Sequence, residues 1–217
     1  QTCALPISCI SRSDELFRKL ESREYDIQEI IDDCVAVKSY YVENDENDSG
    51  IRHILNYGHT LAHALEKLSN YEIGHGHAVA RGMAFAASLS YDLGWCSIEC
   101  RNRIHALLEK FGYDLSIGFS PNDVANAMAS DKKRSGDSIK FIINRDIGQA
   151  EIKLISLTKL EEVLATYSEM FPGSSEIVHS SAPLFAPLQE VSAPPSKSYL
   201  HREIIAAMLS GHELELD

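Results

Sequence analysis

Residues 52–83 read RHILNYGHTLAHALEKLSNYEIGHGHAVARGM, and the rest of the chain is organised around them. Taken as one helix over 52–68, the stretch sets His59 and His63 four residues apart on one face, with Arg52 and Asn56 in phase at the same interval. The opposite stripe carries Ile54, Leu61, Leu65 and Leu68, with Leu55 on its margin, so this helix has a wet side and a packed side. Asn70 and Gly74 break the pattern. His75, Gly76 and His77 then open a second helix, and so short a connection makes the two helices antiparallel neighbours. A His-x3-His pair alone fits a surface or core position as readily as a site. A third histidine on the facing turn tips the reading towards metal, because neutral imidazole is a common ligand of zinc and similar ions.

Outward from this stretch the chain is helical on both sides. Residues 13–22 start with a capping pattern and place Leu16, Phe17 and Leu20 at helical spacing. Residues 26–44 are capped by Asp26 and carry a broad apolar face of Ile27, Ile30, Ile31, Cys34, Val35, Val37 and Tyr41, with Lys38 near its edge. The acidic run 43–48 reads as a solvated turn. The helix from His75 to about Leu93 is rich in Ala, Gly and Ser, which predicts burial and close helix approach. Two more helices are predicted over 97–111 and 121–130, started by Ser97 and by Asn122 or Asp123. His105, on the first of them, reads as an ordinary half-buried histidine. The period then changes: 138–148 and 149–155 predict a two-stranded hairpin closed around Asp146 to Gly148, and 158–170 a last helix with Leu160, Val163, Leu164 and Tyr167 inward.

A chain of 217 residues with 44% hydrophobic content is long enough for one or two domains with a real core. Its net charge of -12 argues against nucleic acid or an anionic membrane as the main partner. No apolar run reaches the roughly 18 residues of a membrane span, and the default expectation is a cytoplasmic protein. The five cysteines, Cys3, Cys9, Cys34, Cys96 and Cys100, form no C-x2-C pair and read as free thiols. Residues 1–8, QTCALPIS, match the translation of a common sequencing-adapter oligonucleotide; they are read as a non-native leader, the alternative being an ordinary loop.

The pattern Arg52-x3-Asn56-Tyr57-Gly58-His59-Thr60-x2-His63-Ala64-x-Glu66, followed by His75-Gly76-x-Ala78-Val79-Ala80-x-Gly82-Met83, resembles the metal-site signature of 3-dehydroquinate synthase, in the sugar-phosphate cyclase group. Lys38 and the run 45–50 upstream, and Asp131-Lys132-Lys133 with Ile147-Gly148 downstream, extend the resemblance over roughly residues 10–170. Asp48 and His77 depart from it, both where glutamate is common in the family and neither at a ligand position. The resemblance implies a mainly α domain over 9–170 with a small β-hairpin. It implies zinc or cobalt on His59 and His75, catalytic roles for His63 and Lys38, and substrate contacts from Lys38, Arg52, Asn56, His63 and Lys132, with Lys133 as the alternative to Lys132. The third ligand, a glutamate, and the NAD site are expected upstream, and no residue here is assigned to cofactor binding. No Gly-rich dinucleotide loop is present in the sequence. The implied partner is a small sugar phosphate, and the complete enzyme is expected to be a homodimer. Another sugar-phosphate cyclase and a non-enzymatic helical interaction module remain as alternatives.

Residues 171–187 are rich in Pro, Ser and Gly and read as a linker. Residues 188–217 then predict a strand, a proline-fixed turn and a helix, with Lys197 and Ser198 where free helix amides favour an anion and Arg202 one turn on. This string resembles the opening of 5-enolpyruvylshikimate-3-phosphate synthase, whose matching Lys, Ser and Arg bind phosphoenolpyruvate and shikimate 3-phosphate. Both enzymes belong to the shikimate pathway and occur fused in arom-type polypeptides. The expectation is therefore the C-terminal domain of one enzyme joined to the truncated start of the next, inactive by itself.

Overall fold

The computed structural model describes residues 4–130, 134–135 and 137–172. Among the described residues eight α-helices run in chain order: α1 (Ala4–Arg12), α2 (Asp14–Ser22), α3 (Ile27–Asn44), α4 (His59–Leu68), α5 (His75–Asp92), α6 (Ile98–Lys110), α7 (Pro121–Ala129) and α8 (Leu157–Met170). A 3-10 helix, Ile51–Asn56, precedes α4. Between α7 and α8 lies a small antiparallel sheet of β1 (Arg134–Ser135), β2 (Ser138–Asp146) and β3 (Gln149–Ser156), in the order β1-β2-β3. The mainly helical expectation with one hairpin is met. The two-residue β1 was not foreseen, being too short to carry a period.

Helix starts follow local chemistry. Ser13, Asp26, Ser97 and Ser156 cap α2, α3, α6 and α8 by accepting backbone N–H bonds from the first turn, each worth about 1 kcal/mol. At α7 the cap is Ser120, which accepts from Asp123 N at 3.1 Å ahead of Pro121. The expected caps, Asn122 and Asp123, lie inside the helix instead, because proline takes the first helical position and leaves Ser120 as the cap.

Helix α5 is the axis of the core. Every residue over 78–90 is buried, and the helix packs against α4, α6, α8 and β2. Its small residues permit this crowding. Gly82 lies so close to the turn before α4 that a Cβ there would sit 1.9 Å from the carbonyl oxygen of Gly58. Gly58 itself has φ +82°, a conformation that side-chain-bearing residues avoid.

That glycine corrects the single helix expected over 52–68. The chain forms a 3-10 turn to Asn56, extends at Tyr57 (φ -53°, ψ 126°), reverses at Gly58 and only then begins α4. The fully buried Tyr57 drives the break: its hydroxyl donates to Asn144 Oδ1 of β2 at 2.8 Å. Arg52 and Asn56 therefore do not continue the face that carries His59 and His63.

Residues excluded as leader include part of α1, with Ile7 and Ser8 buried. The hairpin tip docks on this helix, Gly148 N donating to the carbonyl of Ile10 at 2.9 Å, and Tyr41 of α3 donates to the carbonyl of Ser11 at 3.2 Å. The cysteines among the described residues, Cys9, Cys34, Cys96 and Cys100, are buried free thiols. His105 is buried more deeply than expected, its Nε2 lying 2.9 Å from the Ala84 carbonyl. No helix among the described residues is long and apolar enough to cross a membrane. The linker 171–187, beyond residue 172, and the second-domain start 188–217 lie outside the described residues.

Candidate metal and substrate site

Helix α4 starts on His59, and one turn later His63 projects from the same side, their ring centroids 5.8 Å apart. The third histidine is brought in by the way α4 ends. Tyr71 N donates to the Glu66 carbonyl at 2.7 Å and Asn70 N to the Lys67 carbonyl at 3.2 Å, while Asn70 and Tyr71 both take positive φ (51° and 64°). This pair of bonds is the Schellman arrangement, which reverses the chain in few residues. His75 then opens α5 with its ring centroid 5.3 Å from that of His59.

Each of the two expected ligands is held by an oxygen. His59 Nδ1 lies 3.3 Å from the Tyr57 carbonyl, and His75 Nδ1 lies 2.9 Å from Glu66 Oε1. A carbonyl or carboxylate oxygen accepts, so each neutral ring donates through Nδ1 and carries its lone pair on Nε2. Two neutral imidazoles in this tautomer suit zinc or cobalt, and the residues present fit such an ion as a partial ligand set. Among the described residues no group of three His, Cys, Asp or Glu side chains is placed to hold a metal, so the three histidines are neighbours without forming a complete cage. His63 is exposed and lines a groove with Thr60, Glu66, Lys67, Tyr71 and Met128, between α4 and α7.

The remaining expected contacts fall into two groups. Lys38 of α3 feels the positive charge of Arg52; shielding of its ammonium end, then that charge, hold its pKa below the usual lysine value although the residue is exposed overall. Arg52 is half-buried and donates its backbone N–H to Asp45 Oδ2 at 3.0 Å, with Nη1 3.4 Å from the Glu46 carbonyl. Asn56, also half-buried, ends the 3-10 turn. Lys132 and Lys133, and Lys197, Ser198 and Arg202, lie outside the described residues.

Two residues of the site carried no assigned role in the sequence. Asp45, read as part of a solvated turn, organises the approach to Arg52 by also accepting from Ser49 N at 3.0 Å and Gly50 N at 2.7 Å. These bonds, that from Ser49 first, keep its carboxyl below the usual range. An aspartate four residues ahead of a Ser-Gly pair was the available signal. Glu66 stands three residues after His63, on the same helix face, and only the fold brings it to His75. His77, where the signature departs, stacks edge-on against Tyr113 at 5.4 Å.

The 3-dehydroquinate synthase C-terminal family matches residues 8–134. The chain belongs to this family. It is 41% identical over 168 residues to 3-dehydroquinate synthase of Dehalococcoides mccartyi (strain BAV1), covering 73% of this chain and 46% of that enzyme. It is 40% identical over 152 residues to 3-dehydroquinate synthase of Clostridium perfringens (strain 13), covering 66% of this chain and 43% of that enzyme. Among solved structures, 2-deoxy-scyllo-inosose synthase complexed with carbaglucose-6-phosphate, NAD+ and Co2+ superposes with a TM-score of 0.65 at 20% identity, over 76% of this chain and 49% of that one. ValA, the 2-epi-5-epi-valiolone synthase of Streptomyces hygroscopicus subsp. jinggangensis 5008 with NAD+ and Zn2+ bound, gives 0.64 at 18% identity, over 77% and 50%. These two share the fold. The chain spans about half the length of the family members it matches.

Proposed function

We propose that this chain supplies the metal- and substrate-binding half of a 3-dehydroquinate synthase, a lyase of aromatic biosynthesis that converts 3-deoxy-arabino-heptulosonate 7-phosphate to 3-dehydroquinate with release of phosphate. The observation that carries the reading is the pairing of His59 and His75, rings 5.3 Å apart and each hydrogen-bonded through Nδ1. The 41% identity to a 3-dehydroquinate synthase favours this substrate over those of the two cyclases that share only the fold.

His59 and His75 would hold zinc or cobalt, with a glutamate from the part of the enzyme not spanned here completing the set. When bound, such an ion lowers the pKa of a coordinated hydroxyl. His63, exposed beside His59, takes up or returns a proton at a substrate hydroxyl. Lys38 and Arg52 place two positive charges for the carboxylate or phosphate, Asn56 hydrogen-bonds a hydroxyl, and Lys132, or Lys133, takes the phosphate. NAD, present in both solved cyclases, belongs to the other half of the complete enzyme. That enzyme would act as a cytoplasmic homodimer on a free small molecule.

Calorimetric titration of zinc into the chain at about pH 7.5, where imidazole is mostly neutral, tests the metal assignment. His59→Ala and His75→Ala should each abolish binding, and His63→Ala should leave it nearly intact. Equal loss in the His59 and His63 variants would reassign the metal to the helix pair and sink this division of roles.

The tail is read as the start of a 5-enolpyruvylshikimate-3-phosphate synthase, with Lys197, Ser198 and Arg202 as its first anion contacts. Recovery of the adjoining downstream coding sequence tests this. A continuation with no such enzyme would remove the fusion.

A further inference from the structure

We propose that Glu66 is the positioning residue of the metal centre: its carboxylate accepts a hydrogen bond from the Nδ1–H of His75 and so commits the Nε2 lone pair of that ring to the metal. The inference rests on the proposed role of His75 as a ligand. Glu66 follows His59 by seven residues and His63 by three, so all three lie along one face of α4. The carboxylate reaches across to the first residue of α5, with Oε1 2.9 Å from Nδ1.

The two side chains differ in exposure: Glu66 is 14% exposed and His75 45%. The ring is therefore the looser partner, and without the carboxylate it would be free to rotate or to change tautomer. The backbone of Glu66 contributes as well. Its carbonyl accepts from Tyr71 N at 2.7 Å and from the Ser69 hydroxyl at 3.1 Å, the bonds that reverse the chain and bring His75 to this carboxylate. One residue thus sets where α5 begins and how its first ring is turned. His59 has the corresponding support from the Tyr57 carbonyl at 3.3 Å. A carboxylate behind the ligating imidazole adds basicity as well as orientation, and removing such a partner typically weakens metal binding by about 10–100-fold.

The test uses the full chain and two readouts. Long-range nitrogen NMR of the metal-free protein reports the His75 tautomer, and zinc titration reports affinity. Wild type should show the Nδ1–H form. Glu66→Ala should move His75 towards the Nε2–H form and weaken zinc binding by about 100-fold, whereas Glu66→Gln, which keeps an acceptor oxygen without the charge, should largely keep the tautomer and lose about tenfold. Glu66→Gln also carries the test if the alanine variant does not fold. Wild-type affinity in the glutamine variant, or an unchanged tautomer in the alanine variant, overturns the proposal. Unchanged zinc affinity in His75→Ala would instead remove the ligand role of His75 itself, an outcome separate from the tautomer measurement.

Discussion

The carbonyl oxygen of Gly58 occupies the space that a Cβ on Gly82 would need, at a distance of 1.9 Å. The same carbonyl accepts the Ala62 N–H at 3.1 Å, as part of the first turn of α4. The contact is backbone against backbone, so the position of His59 relative to α5 depends on the absence of one methyl group.

Gly82→Ala should therefore be far more damaging than an alanine in a helix usually is. The clash cannot be relieved by a side-chain rotation, and overpacking of about 3 kcal/mol or more is expected, against an intrinsic helix preference for alanine of about 1 kcal/mol in the other direction. Urea unfolding of the variant measures it. A variant as stable as wild type would show that α4 and α5 are not this close.

Asn144 should behave as a structural hub. It is fully buried, accepts from the Tyr57 hydroxyl at 2.8 Å, donates Nδ2–H to Cys100 Sγ at 3.1 Å, and donates its backbone N–H to the Ser90 hydroxyl at 3.1 Å. Asn144→Leu leaves the Tyr57 hydroxyl without this acceptor and should cost about 2–3 kcal/mol. Tyr57→Phe should cost about 1 kcal/mol, and the double variant less than the sum, since both remove one shared bond. Additive losses in denaturant titrations would dissolve the network.

Acid sensitivity should trace in part to His105. Burial holds its pKa below the usual histidine value, outweighing the opposing Ala84 hydrogen bond. The folded state thus binds a proton less readily than the unfolded chain. The stability associated with the neutral ring is complete above the unfolded pKa of about 6.5 and is lost progressively as pH falls towards the lower folded value. Thermal melts of wild type and His105→Gln between pH 7.5 and 5.5 should converge or cross as pH falls, wild type losing more. Parallel curves would clear His105 of this role.

Lys38 should react unusually fast with amine reagents. A pKa below the ordinary lysine value leaves more neutral amine at a given alkaline pH. Labelling at pH 9 with mass-spectrometric readout should modify Lys38 ahead of the exposed Lys67. Arg52→Gln, by removing a neighbouring positive charge, should slow it. If Lys38 lags behind Lys67, the electrostatic coupling to Arg52 is not there.

The helices, the hairpin and the apolar faces were legible in the sequence because each is a local matter of period and capping: Ser13 and Asp26 start helices through bonds to residues two or three positions on, and Leu160, Val163, Leu164 and Tyr167 recur three and four residues apart as a buried helical stripe must. The His59–His63 neighbourhood followed from helical spacing alone. What sequence spacing could not decide was where the helix through residues 52–68 breaks. Its polar stripe is continuous on paper, but the Tyr57 hydroxyl finds its partner 87 residues away on β2 and Gly58 must yield to Gly82. In the same way, Glu66 and His75 lie nine residues apart in sequence and on different helices, and only the left-handed turn at Asn70 and Tyr71 brings carboxylate and imidazole together. Local periodicity specifies which face a residue takes on its own element; which group it meets there depends on how two elements pack, and that is settled by long-range contacts and backbone close approach.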